Sequence, residues 1–229
     1  MAPASTPPTV LVTGSRSGIG AAIARRLAAA GWSVIGVDLG VDDAATHFAG
    51  QKTADLTDPA VVAALLADLP PVQGLVHAAG FMRTGRLDEL DPADGEAMWA
   101  VHVQALTRLG QALLPAMPAG GRLVAIGSRT SGGAAGKSQY AACKAAVVAL
   151  VRSWAIELAP RGITCNVVAP AATATPMLTR GDRTVAPVTP PIGRFIEPDE
   201  IAAYVAFLLS PDAAAITGQE LLVCGGASL

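Results

Sequence analysis

Tyr140 and Lys144 stand four residues apart in Tyr-Ala-Ala-Cys-Lys, at the start of a long segment with helical apolar periodicity. On a helix that spacing places both side chains on one face. An ammonium beside a phenol favours the phenolate and draws its pKa down from about 10 toward working pH, as a general acid–base requires. Such a pair by itself is more often a solvated helix face. Here the preceding predicted strand ends in Ile126-Gly127-Ser128, which brings a hydroxyl beside that face.

A second constellation lies near the N-terminus. Thr13-Gly14-Ser15-Arg16-Ser17-Gly18-Ile19-Gly20 follows an apolar run and opens a helical pattern. Glycines there let the backbone turn sharply and approach a pyrophosphate with no Cβ in the way, and a helix start offers unpaired N–H groups. The spacing is Gly-x-x-x-Gly-x-Gly, not Gly-x-Gly-x-x-Gly, so its weight comes from its place after a first strand. Asp38 lies 18 residues beyond Gly20, near the separation of about 20 expected for an acid that accepts hydrogen bonds from an adenosine ribose. A carboxylate there repels a 2′-phosphate, so NAD is expected in preference to NADP. Arg16 is the counter-indication, because a cation in the loop can hold that phosphate.

The elements that must position these residues alternate along the chain. Predicted strands are Thr9–Thr13, Ser33–Val37, a weak third closing at Thr53–Asp55, Gly74–His77, Arg122–Gly127, Ile163–Val168 and Glu220–Val223. Predicted helices are Gly18–Ala30, one opened by Asp58-Pro59, Met98–Leu114, Ser138–Ala159 and Asp199–Leu209. Gly31 is placed to end the first helix and Pro59 to begin the second. Thr173–Pro191 is proline-rich and predicted irregular. Near-continuous apolar strands alternating with helices predict an α/β fold, a doubly wound parallel sheet covered by helices on both faces.

Composition narrows the function classes. Apolar residues are 52% and charged residues 15% of the 229, which excludes a disordered chain. A net charge of −2 supplies no basic field for nucleic acid and no cationic face for anionic lipid. Apolar stretches such as Ile201–Leu209 fall short of the ~20 residues that span a membrane. Cys143, Cys165 and Cys224 are neither a disulfide framework nor a metal-ligand set, so no metal is expected. Residues 1–8, small residues and prolines, read as a flexible tail rather than a signal peptide, and 9–229 as a single domain. A cytoplasmic protein acting on a small molecule is the expectation.

With these residues in view, the sequence resembles the short-chain dehydrogenase/reductase family from about Thr9 to its end. The resemblance rests on Thr-Gly-x-x-x-Gly-x-Gly, Asp38, Asp55-Leu56, Ala78-Ala79-Gly80, Ser128, Tyr-x-x-x-Lys, Asn166-Val-Val-Ala-Pro170 and Gly218-Gln…Gly225-Gly226. It implies a seven-stranded Rossmann sheet, a homotetramer or dimer, and interconversion of a secondary alcohol and a ketone. Tyr140 is then the proton donor or acceptor, Lys144 holds the nicotinamide ribose and lowers the Tyr140 pKa, and Ser128 bonds the substrate oxygen. The glycine loop Gly14–Gly20 holds the pyrophosphate, and Asp38 and Leu39 the adenosine ribose. Asp55 and Leu56 flank the adenine, Ala78, Ala79 and Gly80 lie under that ribose, and Pro170 and Ala171 border the nicotinamide. Thr173 and Thr175 bond the carboxamide.

The chain departs from the family at several places. His102 stands where the family has an active-site asparagine; it either holds a water in a proton relay and titrates near pH 6.5, or is a buried neutral histidine that merely packs. His77 replaces another asparagine, and Ala171 replaces a glycine. Ser128 and Tyr140 are 12 positions apart, one fewer than is common. Arg83 and Arg129 lie where the substrate mouth is expected, and a guanidinium grips carboxylate or phosphate with two prongs, although solvated surface charge is the more common role of such residues. Ala78–Gly85 is also similar to dihydro-dihydroxybenzoate dehydrogenases, which share a short connection like Leu39–Ala54 and oxidise a cyclic dihydrodiol acid. A cyclic or carboxylate-bearing alcohol is therefore the first expectation and a 3-oxoacyl thioester the alternative. A nucleotide-binding sensor without turnover is the reading from another class.

Overall fold

The computed structural model describes residues 6–42, 44–179 and 186–229. The predicted tail (1–8) and the proline-rich segment (173–191) therefore lie partly outside the described residues. Seven strands form one parallel sheet: β1 (Thr9–Thr13), β2 (Ser33–Asp38), β3 (Gly50–Thr53), β4 (Gly74–His77), β5 (Arg122–Ile126), β6 (Thr164–Pro170) and β7 (Glu220–Val223). Their order is β3-β2-β1-β4-β5-β6-β7, so the winding reverses between β1 and β4. In open parallel sheets the crevice at that reversal, beyond the C-terminal strand ends, is where ligands bind.

Successive strand residues point to opposite faces, and both faces are dry. Leu11, Leu75, Leu123 and Val167 share one core with Leu106, Leu109, Val147 and Val151. Val10, Val12, Val76, Val124 and Val168 share the other with Ile23, Leu27, Ile201, Val205 and Leu208. That double burial is why the strands read as unbroken apolar runs. Truncating one fully buried leucine such as Leu11 to alanine is expected to cost about 2–5 kcal/mol.

Seven helices cover the sheet among the described residues: α1 (Gly18–Ala29), α2 (Pro59–Ala67), α3 (Pro92–Trp99), α4 (Ala105–Leu113), α5 (Ser138–Leu158), α6 (Pro176–Thr179) and α7 (Pro198–Leu209). Gly31 ends α1 at φ +88°, and Trp32 N–H bonds the Leu27 carbonyl at 3.0 Å. The Asp58 carboxylate caps α2, accepting from Ala60 N–H at 2.7 Å. Segment 39–49 contains no helix among its described residues, in keeping with the short connection predicted there.

Three elements differ from the sequence expectation. The third strand is Gly50–Thr53, because pairing with β2 stops where Thr53 meets Asp38, and Asp55 then turns the chain by bonding Thr57. The helix expected at Met98–Leu114 begins earlier, at Pro92, capped by Asp91. It is also interrupted by a π-helical turn at Ala100–Gln104, which separates α3 from α4 and carries His102. β6 runs on to Pro170 because β7 supports it that far, Pro170 lying beside Val223.

Candidate active site

At the sheet's reversal point, the last residues of β1 and β4 meet side by side. Thr13 Oγ1 accepts the N–H groups of Ala78 and Ala79, each at 3.2 Å, and pairs with His77 Nδ1 at 3.0 Å. With both lone pairs in use, the hydroxyl donates to Nδ1. His77 therefore carries its proton on Nε2, which donates to the Val101 carbonyl at 3.1 Å. Thr13 and His77 are both fully buried, and together they fasten the Ala78–Gly80 turn to the π-helical turn. The sequence reading assigned Thr13 no role of its own. Its signal is a hydroxyl that closes the apolar run Val10-Leu11-Val12 and is itself fully buried.

The glycine loop follows Thr13. Gly14 adopts φ +68°, and a Cβ on it would sit 2.7 Å from Ala79 N; one on Gly20 would sit 2.0 Å from the Gly14 carbonyl. Ser15 is buried, and Ser17 occupies the N-cap of α1 without making a side-chain cap bond. The N–H groups of the first turn, around Gly18 and Ile19, are thus left without a side-chain acceptor, and no acidic residue occupies that turn. This cradle fits an anionic pyrophosphate.

Asp38 closes the loop from β2. Its two carboxylate oxygens accept from Arg16 N–H at 2.9 Å and Leu39 N–H at 2.7 Å. The Arg16 guanidinium lies over Gly40, where a Cβ would meet it at 2.5 Å. Both an acid and a cation therefore stand at the ribose end, so the competing signals in the sequence persist in space. Asp55 is exposed and engaged with Thr57, whereas the Leu56 side chain is turned into the core. An adenine can meet Leu56 only through its backbone.

A cleft of about 570 Å³ opens beyond β4, β5 and β6. Its lining includes Ile19, Ala78, Gly80, His102, Ser128, Arg129, Tyr140, Lys144, Pro170, Ala171, Thr173 and Thr175. Ser128, at the end of β5, exchanges a 2.9 Å bond with Thr130 Oγ1 and accepts Thr130 N–H at 3.2 Å. Thr130 thus orients the serine hydroxyl, a role the sequence reading did not foresee. Thr173 and Thr175 donate their hydroxyls to the Ala171 and Thr173 carbonyls. The neighbouring Cys143 is buried, and burial pushes its thiol pKa up, the environment of a packing residue rather than a nucleophile.

Tyr140 and Lys144 lie on the first turns of α5, both buried. Lys144 Nζ donates to the Ile126 carbonyl at 2.7 Å and stands 5.6 Å from the Tyr140 ring centroid. Burial draws the lysine pKa down to about 7, so in the protein alone the amine holds its proton far less firmly than an exposed lysine. The fully charged ammonium expected from sequence requires an anionic neighbour.

Two expectations are corrected here. His102 does not titrate near 6.5: burial first, then the Lys144 charge, hold its pKa well below that value. Its ring is neutral, with Nε2 donating to the Phe81 carbonyl at 2.7 Å and Nδ1 buried without a partner. It meets the Tyr140 ring edge-on at 5.5 Å, and Gly80, at φ +157°, makes room for it, since a Cβ there would lie 2.0 Å from the imidazole. Arg83 is the second correction. It pairs with Asp94 at 3.5 Å, lies over the Phe81 ring and is not part of the cleft lining, whereas Arg129 is.

Comparison with known proteins agrees with this geometry. The family model described as enoyl-(acyl carrier protein) reductase matches residues 14–228. The (2S)-[(R)-hydroxy(phenyl)methyl]succinyl-CoA dehydrogenase subunit BbsD of Thauera aromatica is 36% identical over 96% of both chains. A short-chain dehydrogenase from Burkholderia cenocepacia, solved with NADP, superposes with a TM-score of 0.85 at 33% identity, over 97% of this chain and 98% of that one. The 3-ketoacyl-(acyl-carrier-protein) reductase of Brucella melitensis, solved with NADH, gives 0.85 at 28% identity over 97% and 98%. With a glycine cradle at the sheet's reversal point and a serine, tyrosine and lysine around one cleft, the chain belongs to the short-chain dehydrogenase/reductase family of oxidoreductases.

Proposed function

We propose that this protein interconverts a secondary alcohol and a ketone, with Tyr140 as general acid–base. The observation that carries the reading is the convergence of Ser128, Tyr140 and Lys144 on one cleft. Ser128, its hydroxyl oriented by Thr130, bonds the substrate oxygen and holds it beside the phenol. Tyr140 gives or takes the proton at that oxygen. Lys144 favours the phenolate once an anion in the site restores its charge. The His102 ring, with Nδ1 buried and Nε2 bonded to the Phe81 carbonyl, stays neutral and does not change charge near pH 7.

A nicotinamide dinucleotide supplies the hydride-carrying carbon. Residues 14–20 would hold its pyrophosphate, Asp38 and Leu39 the adenosine ribose, and Asp55 and Leu56 the adenine. Ala78, Ala79 and Gly80 would border the adenosine side, and Tyr140 and Lys144 the nicotinamide ribose. Pro170, Ala171, Thr173 and Thr175 would border the nicotinamide and its carboxamide. NAD is favoured by the Asp38 carboxylate; Arg16 and the NADP-bound relative support the opposite preference.

For the substrate, a cyclic or carboxylate-bearing alcohol suits a compact cleft with Arg129 in its wall. A 3-oxoacyl or 3-hydroxyacyl thioester is the second reading, supported by the names of the Brucella and Thauera relatives. The test is reduced-nicotinamide absorbance with both cofactors against a panel of ketones, alcohols and thioesters, on the protein and on Tyr140→Phe. Loss of turnover by about 10²–10⁴ with dinucleotide binding retained is expected of the variant. Nucleotide binding without turnover of any panel member by the parent protein would instead make it a sensor.

A further inference from the structure

The charged side chains among the described residues of the cleft wall are all of one sign. Among its described lining residues Arg129, Lys137 and Lys144 are basic and none is Asp or Glu. Lys144 is committed to the Ile126 carbonyl, and Lys137 has an interaction of its own. Arg129 differs from both: among the described residues its guanidinium makes no hydrogen bond, ion pair or ring contact. The other described arginines that are not exposed are engaged, Arg83 with Asp94, Arg108 with Gln104 and Arg122 with backbone carbonyls. Arg16, Arg26 and Arg86 lack side-chain acceptors but are exposed, where water solvates a guanidinium at no cost. Arg129 is half-buried, and a partly desolvated cation with no counter-charge is costly unless a ligand supplies one.

Its base is fixed. Ser131 N–H bonds the Ser128 carbonyl at 3.0 Å and Gly133 N–H the Thr130 carbonyl at 2.8 Å, so residues 129–132 form a tight turn directly after the serine. Adjacent Cα atoms are about 3.8 Å apart. Arg129 follows Ser128 directly and both line the cleft, so an anion gripped by Arg129 shares that cleft with the oxygen held by Ser128.

We infer that Arg129 is a specificity-determining residue and that the substrate carries a carboxylate a few bonds from its reacting carbonyl carbon. The inference rests on the oxidoreductase reading above and deepens it. It also separates the two substrate classes. The phosphates of a coenzyme A or carrier-protein thioester lie at the far end of the pantetheine arm, so a plain 3-oxoacyl thioester brings no charge to this position.

The test uses the full chain with a saturating nicotinamide cofactor and matched pairs: 4-oxopentanoate against its methyl ester, 3-oxocyclohexanecarboxylate against its methyl ester, and acetoacetyl-CoA as the plain thioester. The acid-to-ester ratio of kcat/KM is expected to exceed 10 in the parent. It should fall by about 10- to 100-fold in Arg129→Gln, the loss of one charge-assisted bidentate contact, with partial recovery in Arg129→Lys. A structural effect of the substitution lowers both members of a pair and leaves the ratio alone; an unchanged ratio overturns the inference. So does a parent that prefers the esters or the plain thioester. Binding of 3-oxocyclohexanecarboxylate is read in parallel by quenching of reduced-nicotinamide fluorescence. Carboxylate binding that Arg129→Gln abolishes, without turnover of any ketone, would support the anion subsite while removing the oxidoreductase reading. Neither turnover nor carboxylate binding overturns both.

Discussion

Lys144 donates its amine to the main-chain carbonyl of Ile126, the last residue of β5, at 2.7 Å. The bond ties the face of α5 that carries Tyr140 to the strand that delivers Ser128 two residues later. It also holds the amine in a dry place, and burial lowers its pKa from 10.5 to about 7.

That position sets function against stability. Between pH 7 and 10.5 the unfolded chain binds a proton at Lys144 that the native chain does not, so this group's contribution rises with pH through that window. Below pH 7 the buried ammonium is carried at a cost. Lys144→Met is expected to lose activity by at least 10²-fold yet to raise the urea midpoint at pH 6, by an increment that shrinks toward pH 10. A lower midpoint at pH 6 would show that the Ile126 bond outweighs the burial cost.

His77 gives the complementary acid limb. Its folded pKa is drawn from 6.5 to about 3, chiefly by burial and then by the Lys144 charge. The native ring stays neutral where the unfolded one protonates, so stability falls as pH drops through 6.5 toward 3. At about 1.4 kcal/mol per pH unit, this group accounts for about 2.5 kcal/mol of loss between pH 7 and 4.5. Urea titrations at the two pH values measure it. His77→Asn, which keeps hydrogen-bonding capacity without a titrating group, is expected to flatten the dependence by that amount.

Gly20 carries a steric prediction. A methyl at this position would lie 2.0 Å from the Gly14 carbonyl, within the loop's own backbone. Gly20→Ala should cost about 1–3 kcal/mol and weaken dinucleotide binding at least tenfold. Gly50→Ala, where a Cβ meets nothing within 4 Å, serves as the control and should move both quantities little. Thermal unfolding and nicotinamide fluorescence titration read the two effects.

Cofactor choice turns on Asp38 and Arg16. Removing the carboxylate in Asp38→Ala is expected to raise the NADPH-to-NADH ratio of kcat/KM about tenfold, equivalent to about 1.4 kcal/mol of relieved like-charge repulsion. Arg16→Ala should lower the same ratio. A parent enzyme that already favours NADPH would overturn the NAD preference and leave Arg16 as the dominant group.

The seven strands, their parallel packing and the place of the glycine loop were legible in the sequence because each depends on local pattern. Val10-Leu11-Val12 can be buried on both faces only in a covered sheet, and glycines at 14, 18 and 20 only suit a crowded turn. Tyr140 and Lys144 share a face because a helix has 3.6 residues per turn. The π-helical turn was not legible: it is a one-residue misfit between α3 and α4, and the Asp91-Pro92 cap was hidden by the weak apolar periodicity of Pro92–Ala97. Nor could the sequence say whether His102 titrates, whether Lys144 is charged, or which of Arg83 and Arg129 enters the cleft. Those outcomes depend on desolvation and on partners remote along the chain, such as Phe81 for His102 and Ile126 for Lys144. Sequence fixes which groups exist and their local spacing, while only the folded packing sets how much water each one keeps.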